Sequence, residues 1–551
     1  MDEMIVYILG TIIFVIILML IRQRLELSIA KHPSLGGHPR MARRLAALIP
    51  FYSYDETTAF GLDNPPDEII AKRKTAFDHL SEQYRHKFVK NQELTIQAAE
   101  KISDLQFTSA YRVPFQFREL VKDTLRSGVF VNSTSGVSVT DIDGNRFYDL
   151  AGSYGVNLFG YDFYKQCINA GADIAKETGP ILGSYHPVVV DNAQRLCQIS
   201  GLDEVSFHMS GTEAVMQAVR LARYNTGKKR LVRFCGAYHG WWGDVQPGIG
   251  NPVDTHDTFT LKEMDASTLR VLRKRSDIAC VLVNPLQAMH INSGAPADSA
   301  LVDSSRKASF QKDTYINWLK QLREVCVDKN IVLIFDEVFT GFRLSPGGAQ
   351  EYFGIQADMV TYGKTLGGGL PIGVLCGKKE LMKRYRDQAP ANICFARGTF
   401  NSHPYVMGAM NVFLQSLNNP EIQVLYQNLD ATWNARAAEL SRQLDEKQLP
   451  LKVVNLSTIW TVLYTAPGYY NWLFQYYLRN EGLALSWVGT GRFIFSLNYT
   501  DQDFSEVTKR FIDAATAMQS DGWWWHSPLL TNKSIRNRIT GDLLRHKFSN
   551  L

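Results

Sequence analysis

Strand-like and helix-like stretches alternate along the middle of the chain. Apolar and polar residues alternate on both sides of residues 143–145, which is typical of a hairpin. Later strand-like runs, among them EVSFHMS, RLVRFCG, IACVLVNP, IVLIFDE and MVTYGK, alternate with segments of helical period. This order predicts a mainly parallel sheet covered by helices, in the α/β class. Side chains at the strand ends are then the first candidates for chemistry.

The first apolar segment is longer than any of these runs. Residues 4–21 are 18 uncharged residues, which as a helix would measure about 27 Å and cross a bilayer core. A cleaved signal peptide is the alternative, because Ser28, Ile29 and Ala30 resemble a small-x-small cleavage site. Acidic residues precede the segment and arginines follow it, which favours an uncleaved single-pass anchor with the catalytic part of the chain in the cytoplasm.

Changes in composition divide the chain into five regions. We predict an anchor at 1–24, a helical extension at 25–107, a large domain at 108–414 whose start joins the small domain, a small α+β domain at 415–515, and a tail at 516–551. The small, polar stretch 293–309 is predicted to be a surface loop. Trp523, Trp524 and Trp525 precede a basic segment, and they suit either the headgroup layer of a membrane or packing against the protein.

Charge and cysteine content narrow the classes of function. A net charge of +5, from 59 basic and 54 acidic residues, gives no reason to expect a nucleic-acid partner. The seven cysteines are scattered and contain no CxxC pair, which favours a reducing compartment and argues against a metal site.

Two acidic residues follow the most apolar of the predicted strands. Asp336 and Glu337 come directly after the run IVLIF. A buried carboxylate costs several kcal/mol to desolvate, so an acid here needs a cationic partner or a route to the surface. Asp336 taken alone would be read as a cap at the junction of a strand and a helix.

Lys364 supplies a candidate partner for this acid. It follows an apolar run and precedes the glycines 367–369, which permit close approach of the backbone to a ligand. No GxxxxGK[ST] pattern surrounds Lys364, so a nucleotide phosphate site is not indicated. A buried lysine can instead form a Schiff base. Pyridoxal phosphate needs both groups, since its pyridine nitrogen stays protonated beside a carboxylate.

Two other needs of this cofactor have candidates in the sequence. Its phosphate requires amide donors at a helix N-terminus, which Ser210, Gly211 and Thr212 offer at the start of a strong helical pattern. Its ring requires an apolar or aromatic cover, which Tyr238 offers directly after a strand.

The segments SGTEAVMQAVRLAR, GAYHG, FDEVFTGFR and YGKTLGGGLPIG, in this order along the chain, resemble the class III aminotransferases of fold type I. The similarity is greatest to glutamate-1-semialdehyde aminomutase and to the aminotransferase modules of polyketide and peptide synthases. It extends over roughly residues 108–513. The resemblance implies a large domain with a mainly parallel sheet, a smaller α+β domain and the cofactor pyridoxal phosphate.

The resemblance also implies roles for single residues. Lys364 is the expected Schiff-base lysine, and Asp336 the expected partner of the pyridinium nitrogen. Val338 and Tyr238 would cover the two faces of the ring. Ser210, Gly211 and Thr212 would bind the phosphate, with Thr399 reaching it from a second subunit, which implies a homodimer. His239 would have a supporting role.

Substrate residues are less defined by the resemblance. Tyr154, Trp241 and Arg492 are candidates, although Trp241 also suits a core position and Arg492 a structural one. Asn284 replaces a glutamate that the family often carries, and residues 288–290 lack the glutamate that selects between substrates in some relatives.

We therefore expect an aminotransferase that moves an amino group from a donor amino acid to a hydrophobic aldehyde, ketone or β-keto acyl acceptor, either free or on a carrier protein. Its pathway would be one of secondary-metabolite or lipid-like biosynthesis. The alternatives are an aminomutase that acts within one molecule, a decarboxylase using the same cofactor, and a non-catalytic membrane scaffold. A scaffold would be expected to have lost Lys364 or Asp336, and both are present.

Overall fold

The N-terminal part of the chain is helical, as its periodicity predicts. A computed structural model describes residues 2–33, 35, 38–126, 128–246, 248–292, 304–486 and 491–549. In these ranges seven α-helices precede the first strand: α1 Asp2–Ala30, α2 Pro39–Ala46, α3 Glu56–Phe60, α4 Asp67–Lys87, α5 Val89–Ala99, α6 Ser103–Ala110 and α7 Arg118–Val121. Among the described residues, α1 alone is long and apolar enough to cross a membrane, from Met4 to Ala30.

Helix α4 packs on the C-terminal part of the chain. The buried Tyr84 hydroxyl donates to the Tyr476 carbonyl at 2.9 Å. The buried Arg73 donates to both oxygens of Asp63 at 2.7 Å and to the Gly522 carbonyl at 2.8 Å. Because buried charges need such partners, these contacts fix the extension against residues far along the chain.

Three strands and two helices lead into the main sheet. The hairpin predicted around residues 143–145 is present, with β2 antiparallel to β3. The elements are β1 Val131–Ser135, β2 Ser138–Asp141, β3 Arg146–Asp149, α8 Tyr161–Ala175 and α9 Val188–Ser200.

The main sheet has seven strands, in the order β4-β10-β9-β8-β7-β5-β6. The strands and their helices are β4 Glu204–His208, α10 Gly211–Thr226, β5 Arg230–Phe234, β6 Thr258–Leu261, α11 Ala266–Lys274, β7 Ile278–Val283, α12 Lys312–Asp328, β8 Val332–Asp336, α13 Gly348–Phe353, β9 Met359–Gly363 and β10 Gly373–Gly377. All pairs are parallel except those of β10, which is antiparallel to β4 and β9. Every residue of β7 to β10 is buried, as in a sheet covered on both faces. The predicted mainly parallel α/β fold is confirmed.

The remaining elements include the strands of two smaller sheets and the last strand of the sheet that begins with β1, β2 and β3. They are α14 Lys379–Met382, β11 Tyr385–Arg386, β12 Ala389–Ile393, α15 Pro404–Ser416, α16 Pro420–Tyr426, α17 Leu429–Glu446, β13 Leu451–Leu456, β14 Ile459–Tyr464, α18 Phe474–Asn480, β15 Leu483–Ala484, β16 Phe493–Ile494, α19 Asp501–Ser520 and α20 Asn532–Ser549. Strands β11 and β12 form a two-stranded sheet, and β13, β14 and β16 form a three-stranded sheet. Strand β15 pairs with β3, which joins the early hairpin to this C-terminal part.

The aromatic residues of the tail pack on the protein. The buried Trp523 indole donates to the Tyr477 hydroxyl at 2.8 Å, and the Trp524 indole donates to Asn471 Oδ1 at 3.1 Å. Packing therefore accounts for these two tryptophans better than a place in lipid does. Of the predicted surface loop 293–309, residues 293–303 lie outside the described residues, and 304–309 form no helix or strand.

Candidate active site

Lys364 lies immediately after β9, at the start of a 3₁₀ turn. Its φ of 49° places it in the left-handed region, which is strained for a lysine. The side chain is largely buried, with Nζ 4.7 Å from the centroid of the Phe339 ring. Gly155 passes so close that a Cβ there would lie 2.6 Å from Phe339 and 3.5 Å from Lys364 Cδ.

The amine of Lys364 is suited to act as a nucleophile. Burial lowers its pKa to about 8, and Arg343 and Arg492 act in the same direction while Asp336 opposes them. About a tenth of the amine is therefore neutral at pH 7, far more than for an ordinary lysine, and the neutral form is the one that makes a Schiff base.

Asp336, the last residue of β8, is held by three groups. Its Oδ1 accepts from the Val338 amide and from the Thr361 hydroxyl, both at 3.2 Å. Its Oδ2 lies 2.8 Å from His239 Nδ1. Burial lowers the pKa of His239, so the ring is neutral and donates from Nδ1 to the carboxylate.

Glu337 has a different role from its neighbour. Its two oxygens accept from the Ala349 amide at 2.6 Å and the Gln350 amide at 2.9 Å, so it satisfies the first amides of α13. Burial raises its pKa to about 8. Of the two acidic residues at the end of β8, Asp336 therefore faces the candidate site and Glu337 stabilises the fold.

The start of α10 lies beside Val338. The Ser210 side chain caps the helix by accepting from the Glu213 amide at 3.3 Å. A Cβ on Gly211 would lie 2.6 Å from Val338 Cγ1, and a Cβ on Gly240 would lie 2.5 Å from Thr212 Oγ1. The chain thus approaches the helix N-terminus, where free amides favour a phosphate, as closely as glycine allows.

Asn284, which stands where the family often carries an acid, holds the backbone at Tyr238. Its Nδ2 donates to the Tyr238 carbonyl at 3.0 Å, while its Oδ1 accepts from the Leu286 amide at 3.1 Å. The Tyr238 ring is 58% exposed and Trp241 is 70% exposed, so both are available for contact with a bound molecule. Burial, and secondarily the charge of Asp336, raise the pKa of Tyr238.

The other predicted residues lie around this centre or apart from it. Tyr154, at φ 55° and 52% exposed, precedes the Gly155 that contacts Lys364. The pKa of Arg492 is lowered to about 10 by burial and by Arg306, and Arg492 itself lowers the pKa of Lys364. Thr399 lies in an exposed segment after β12.

Three residues of the site were not predicted from the sequence. Phe339 covers the Lys364 amine. The hydroxyl of Thr361 in β9 donates a hydrogen bond to Asp336. The buried Arg343 donates to the Gly155 carbonyl at 3.2 Å and to the Phe495 carbonyl at 2.7 Å, and it joins the site to the smaller sheet. Phe339 and Arg343 belong to the segment FDEVFTGFR, and the presence of this motif in the sequence could have pointed to them as site residues.

The residues present fit pyridoxal phosphate. Within the described ranges, no lysine or arginine lies in ion-pair distance of the buried Asp336, and its histidine partner is neutral. A protonated pyridine nitrogen would supply the missing positive charge. The glycine-lined N-terminus of α10 provides the amides that a phosphate needs.

Comparison with known proteins agrees with this arrangement. A family model described as aminotransferase class-III matches residues 121–244 and 312–515, which include every candidate cofactor residue. A glutamate-1-semialdehyde 2,1-aminomutase of Nitratidesulfovibrio vulgaris (strain DP4) is 32% identical over 402 residues, covering 70% of this chain and 91% of that relative. One of Pelodictyon phaeoclathratiforme is 30% identical over 422 residues, covering 71% and 91%.

Solved structures share the fold. A transaminase with PLP bound is 25% identical, with a TM-score of 0.64 over 79% of this chain and 99% of the other. A β-phenylalanine aminotransferase from Variovorax paradoxus is 22% identical, with a TM-score of 0.64 over 81% and 98%. The predicted fold type I and the predicted cofactor are thereby confirmed. The chain belongs to the pyridoxal-phosphate-dependent class III aminotransferases.

Proposed function

We propose that the protein is a membrane-anchored aminotransferase that transfers an amino group from a donor amino acid to a hydrophobic aldehyde, ketone or β-keto acyl acceptor. The observation that carries the amino transfer is the presence together of a largely buried Lys364 of lowered pKa and a buried Asp336, which has no lysine or arginine partner among the residues that the structure describes. A non-catalytic scaffold would have no need to keep either group buried.

Each residue of the site has a task in this reaction. Pyridoxal phosphate, when bound, supplies an electron sink for the bond that breaks at the donor carbon. Lys364 would hold the cofactor, and its amine, once freed by the donor amine, would act as the base that takes a proton from the donor carbon and as the acid that returns it. Asp336 keeps the positive charge on the ring nitrogen, and His239 keeps the carboxylate in position.

The remaining candidates bind rather than react. Val338 and Tyr238 cover the ring, and the amides at Ser210, Gly211 and Thr212 bind the phosphate together with Thr399 of a second subunit. A homodimer follows from this use of Thr399. Tyr154 and Trp241 line the path of the substrate, and Arg492, a buried cation near Lys364, binds a carboxylate of the donor.

The hydrophobic acceptor is supported by the N-terminal helix. Helix α1 ends directly against the large domain: Ala30 is buried, and its carbonyl accepts from the Lys262 amide at 2.8 Å. With α1 as an uncleaved single-pass anchor, the active site on the cytoplasmic side stays near the bilayer. Acceptors that partition into lipid are then the most available.

An aminomutase is the second candidate, and it is favoured by the curated relatives, which bear that name. Such an enzyme needs no external amino donor. It would convert a single compound that carries both an amino group and a carbonyl group.

The test combines spectroscopy with product analysis. The purified protein should show a visible absorption band with pyridoxal phosphate, and Lys364→Ala should abolish it. Glutamate or alanine should then discharge the band, and a long-chain ketone or aldehyde should restore it more efficiently than a short one. A band that no donor discharges, with turnover of one amino-carbonyl compound alone, would establish the aminomutase instead.

A further inference from the structure

Helix α2 presents its large apolar residues to the outside. Met41 and Leu45, one turn apart on the same face, are 54% and 42% exposed, whereas Ala42 is buried. A helix on a water-facing surface would bury the large residues and expose the small or polar ones. In α2 the small residue Ala42 is buried and the large residues Met41 and Leu45 are exposed, so the outer face of the helix is suited to an apolar environment.

The chain just beyond α2 and the last turn of α20 also carry exposed apolar side chains. The Lys547 ammonium donates to the Leu48 carbonyl at 3.3 Å, and His546 stacks on Tyr52 with ring centroids 4.7 Å apart. These contacts join residues 48–52, shortly after α2, to the last turn of α20. We call the exposed apolar side chains of this region the paired-ends surface: Met41, Leu45, Leu48, Ile49, Phe51 and Phe548.

Basic residues border the paired-ends surface. Residues 38–53 contain Arg40, Arg43 and Arg44 and no acidic residue. Helix α20 contains five lysines and arginines and a single acid, Asp542, which is buried and accepts from the Tyr54 hydroxyl at 2.9 Å. Large apolar side chains bordered by exposed cations are typical of a surface that lies in the headgroup layer of an anionic membrane.

The paired-ends surface begins close to the end of α1. Eight residues, 31–38, separate α1 from α2, so the gap is at most about 30 Å even when fully extended. At the end of α1, Glu26 forms an ion pair with Lys274 of α11 and Ala30 is bonded to Lys262. The large domain is thus held about 14 Å along α1 from the end of the apolar segment 4–21, and it does not hang from a long linker.

We infer that the paired-ends surface rests in the headgroup layer of the bilayer that α1 crosses. This inference rests on the proposed anchoring by α1. It names lipid as the occupant of the surface because the surface is close to the anchor in the chain, is apolar at its centre and carries an excess of positive charge.

The paired-ends surface is also connected to the active site. Arg43 of α2 donates to the Asn251 carbonyl at 2.6 Å and pairs with Asp254. Asn251 Nδ2 in turn donates to the Gly243 carbonyl at 2.7 Å, two residues after Trp241. The segment that carries Tyr238 and Trp241 is therefore linked to α2 through Asn251.

The experiment measures the lipid contact of single positions in the full-length holoenzyme. A fluorophore is attached to Leu48→Cys or Phe548→Cys after Cys197 and Cys394, the cysteines that are not buried, are replaced by serine. The protein is reconstituted into vesicles of phosphatidylcholine and phosphatidylserine that contain brominated lipid. Val424→Cys on α16, 57% exposed, is the matched control.

We expect brominated lipid to quench the fluorophore several-fold more at positions 48 and 548 than at 424. Combining Arg44→Glu with Arg545→Glu should weaken that quenching in the anionic vesicles. Equal quenching at all three positions would overturn the inference. So would shielding of position 48 from both brominated lipid and an aqueous quencher, since a second copy or another protein would then cover it.

One step of the preparation distinguishes a failure of the proposed α1 anchor from a failure of the paired-ends surface. The vesicles are washed at alkaline pH before the measurement. Release of the protein would overturn the anchoring by α1 on which the inference rests. Retention of the protein without quenching at 48 and 548 would overturn the paired-ends surface alone.

Discussion

At the scale of single residues, two neighbouring acids at the end of β8 do unrelated work. Successive side chains of a strand point to opposite faces, so Asp336 faces the site while Glu337 faces α13. Substitution of each acid by its amide therefore compares a loss of charge at the candidate site with a loss of charge one residue away.

Asp336→Asn is expected to lower kcat/KM for amino transfer by at least about a hundredfold, because the ring nitrogen loses the charge that keeps it protonated. The measurement is steady-state kinetics with saturating pyridoxal phosphate. Glu337→Gln is the control, and it should keep near-normal activity per folded molecule while melting at a lower temperature. Similar losses of activity in both variants would contradict the assignment.

The lowered pKa of Lys364 predicts a pH dependence. The neutral amine is the nucleophile, so the rate at which the apo-protein captures pyridoxal phosphate should rise with pH and level off above its pKa of about 8. The rate is followed by the appearance of the visible band. A rate that keeps rising until about pH 10.4, the ordinary range of a lysine, would show that burial does not lower this pKa.

At the scale of elements, the periodicity of the chain predicted β4, β5, β7, β8, β9 and the helices α10 and α12. It did not predict β6, which is only four residues long, or β10, which glycines flank on both sides. Neither strand has enough alternating residues to be recognised. Asp336 and Lys364 were predicted as site residues because they stand at the ends of apolar runs, whereas Thr361 and Arg343 reach the candidate site only through packing between distant segments.

The close approach of Gly240 to α10 predicts the effect of one added methyl group. Gly240→Ala should weaken pyridoxal phosphate binding by about tenfold or more. The added Cβ would displace Thr212 at the proposed phosphate site, and the φ of 96° at this position is strained for alanine. Affinity is measured by fluorescence titration. Gly227→Ala at the other end of α10 also has a positive φ, of 66°, but meets no atom within 4 Å. It should lower stability modestly and leave affinity unchanged; equal affinities for the two variants would contradict the role of this turn.

At the scale of the whole molecule, the N-terminal extension is part of the folded body. Its residues make buried contacts with α18 and with the segment before α20, which sequence periodicity could not foresee because it describes one element at a time. The end of α1, the start of α2 and the end of α20 are all tied to the large domain or to each other.

This arrangement predicts that substrate delivery depends on the apolar face of α2. Leu45→Glu combined with Leu48→Glu should lower kcat/KM for a long-chain acceptor presented in vesicles by about tenfold, because charges at this depth oppose membrane contact. The same variant should use a water-soluble short-chain acceptor at the normal rate. Equal losses for both acceptors would indicate damage to the enzyme, and no loss for either would remove the membrane from the delivery route.

The fixed junction between α1 and α11 also limits how two copies can associate. Subunits that share active sites through Thr399 would be related by a two-fold axis, as in most closed dimers. If α1 is the anchor we propose, both anchors of such a dimer would enter the same membrane, and the contacts of Ala30 and Glu26 with the large domain would restrict the direction of each. Only an axis perpendicular to the membrane satisfies these conditions, so the two active sites of the dimer would stand at equal height above the lipid.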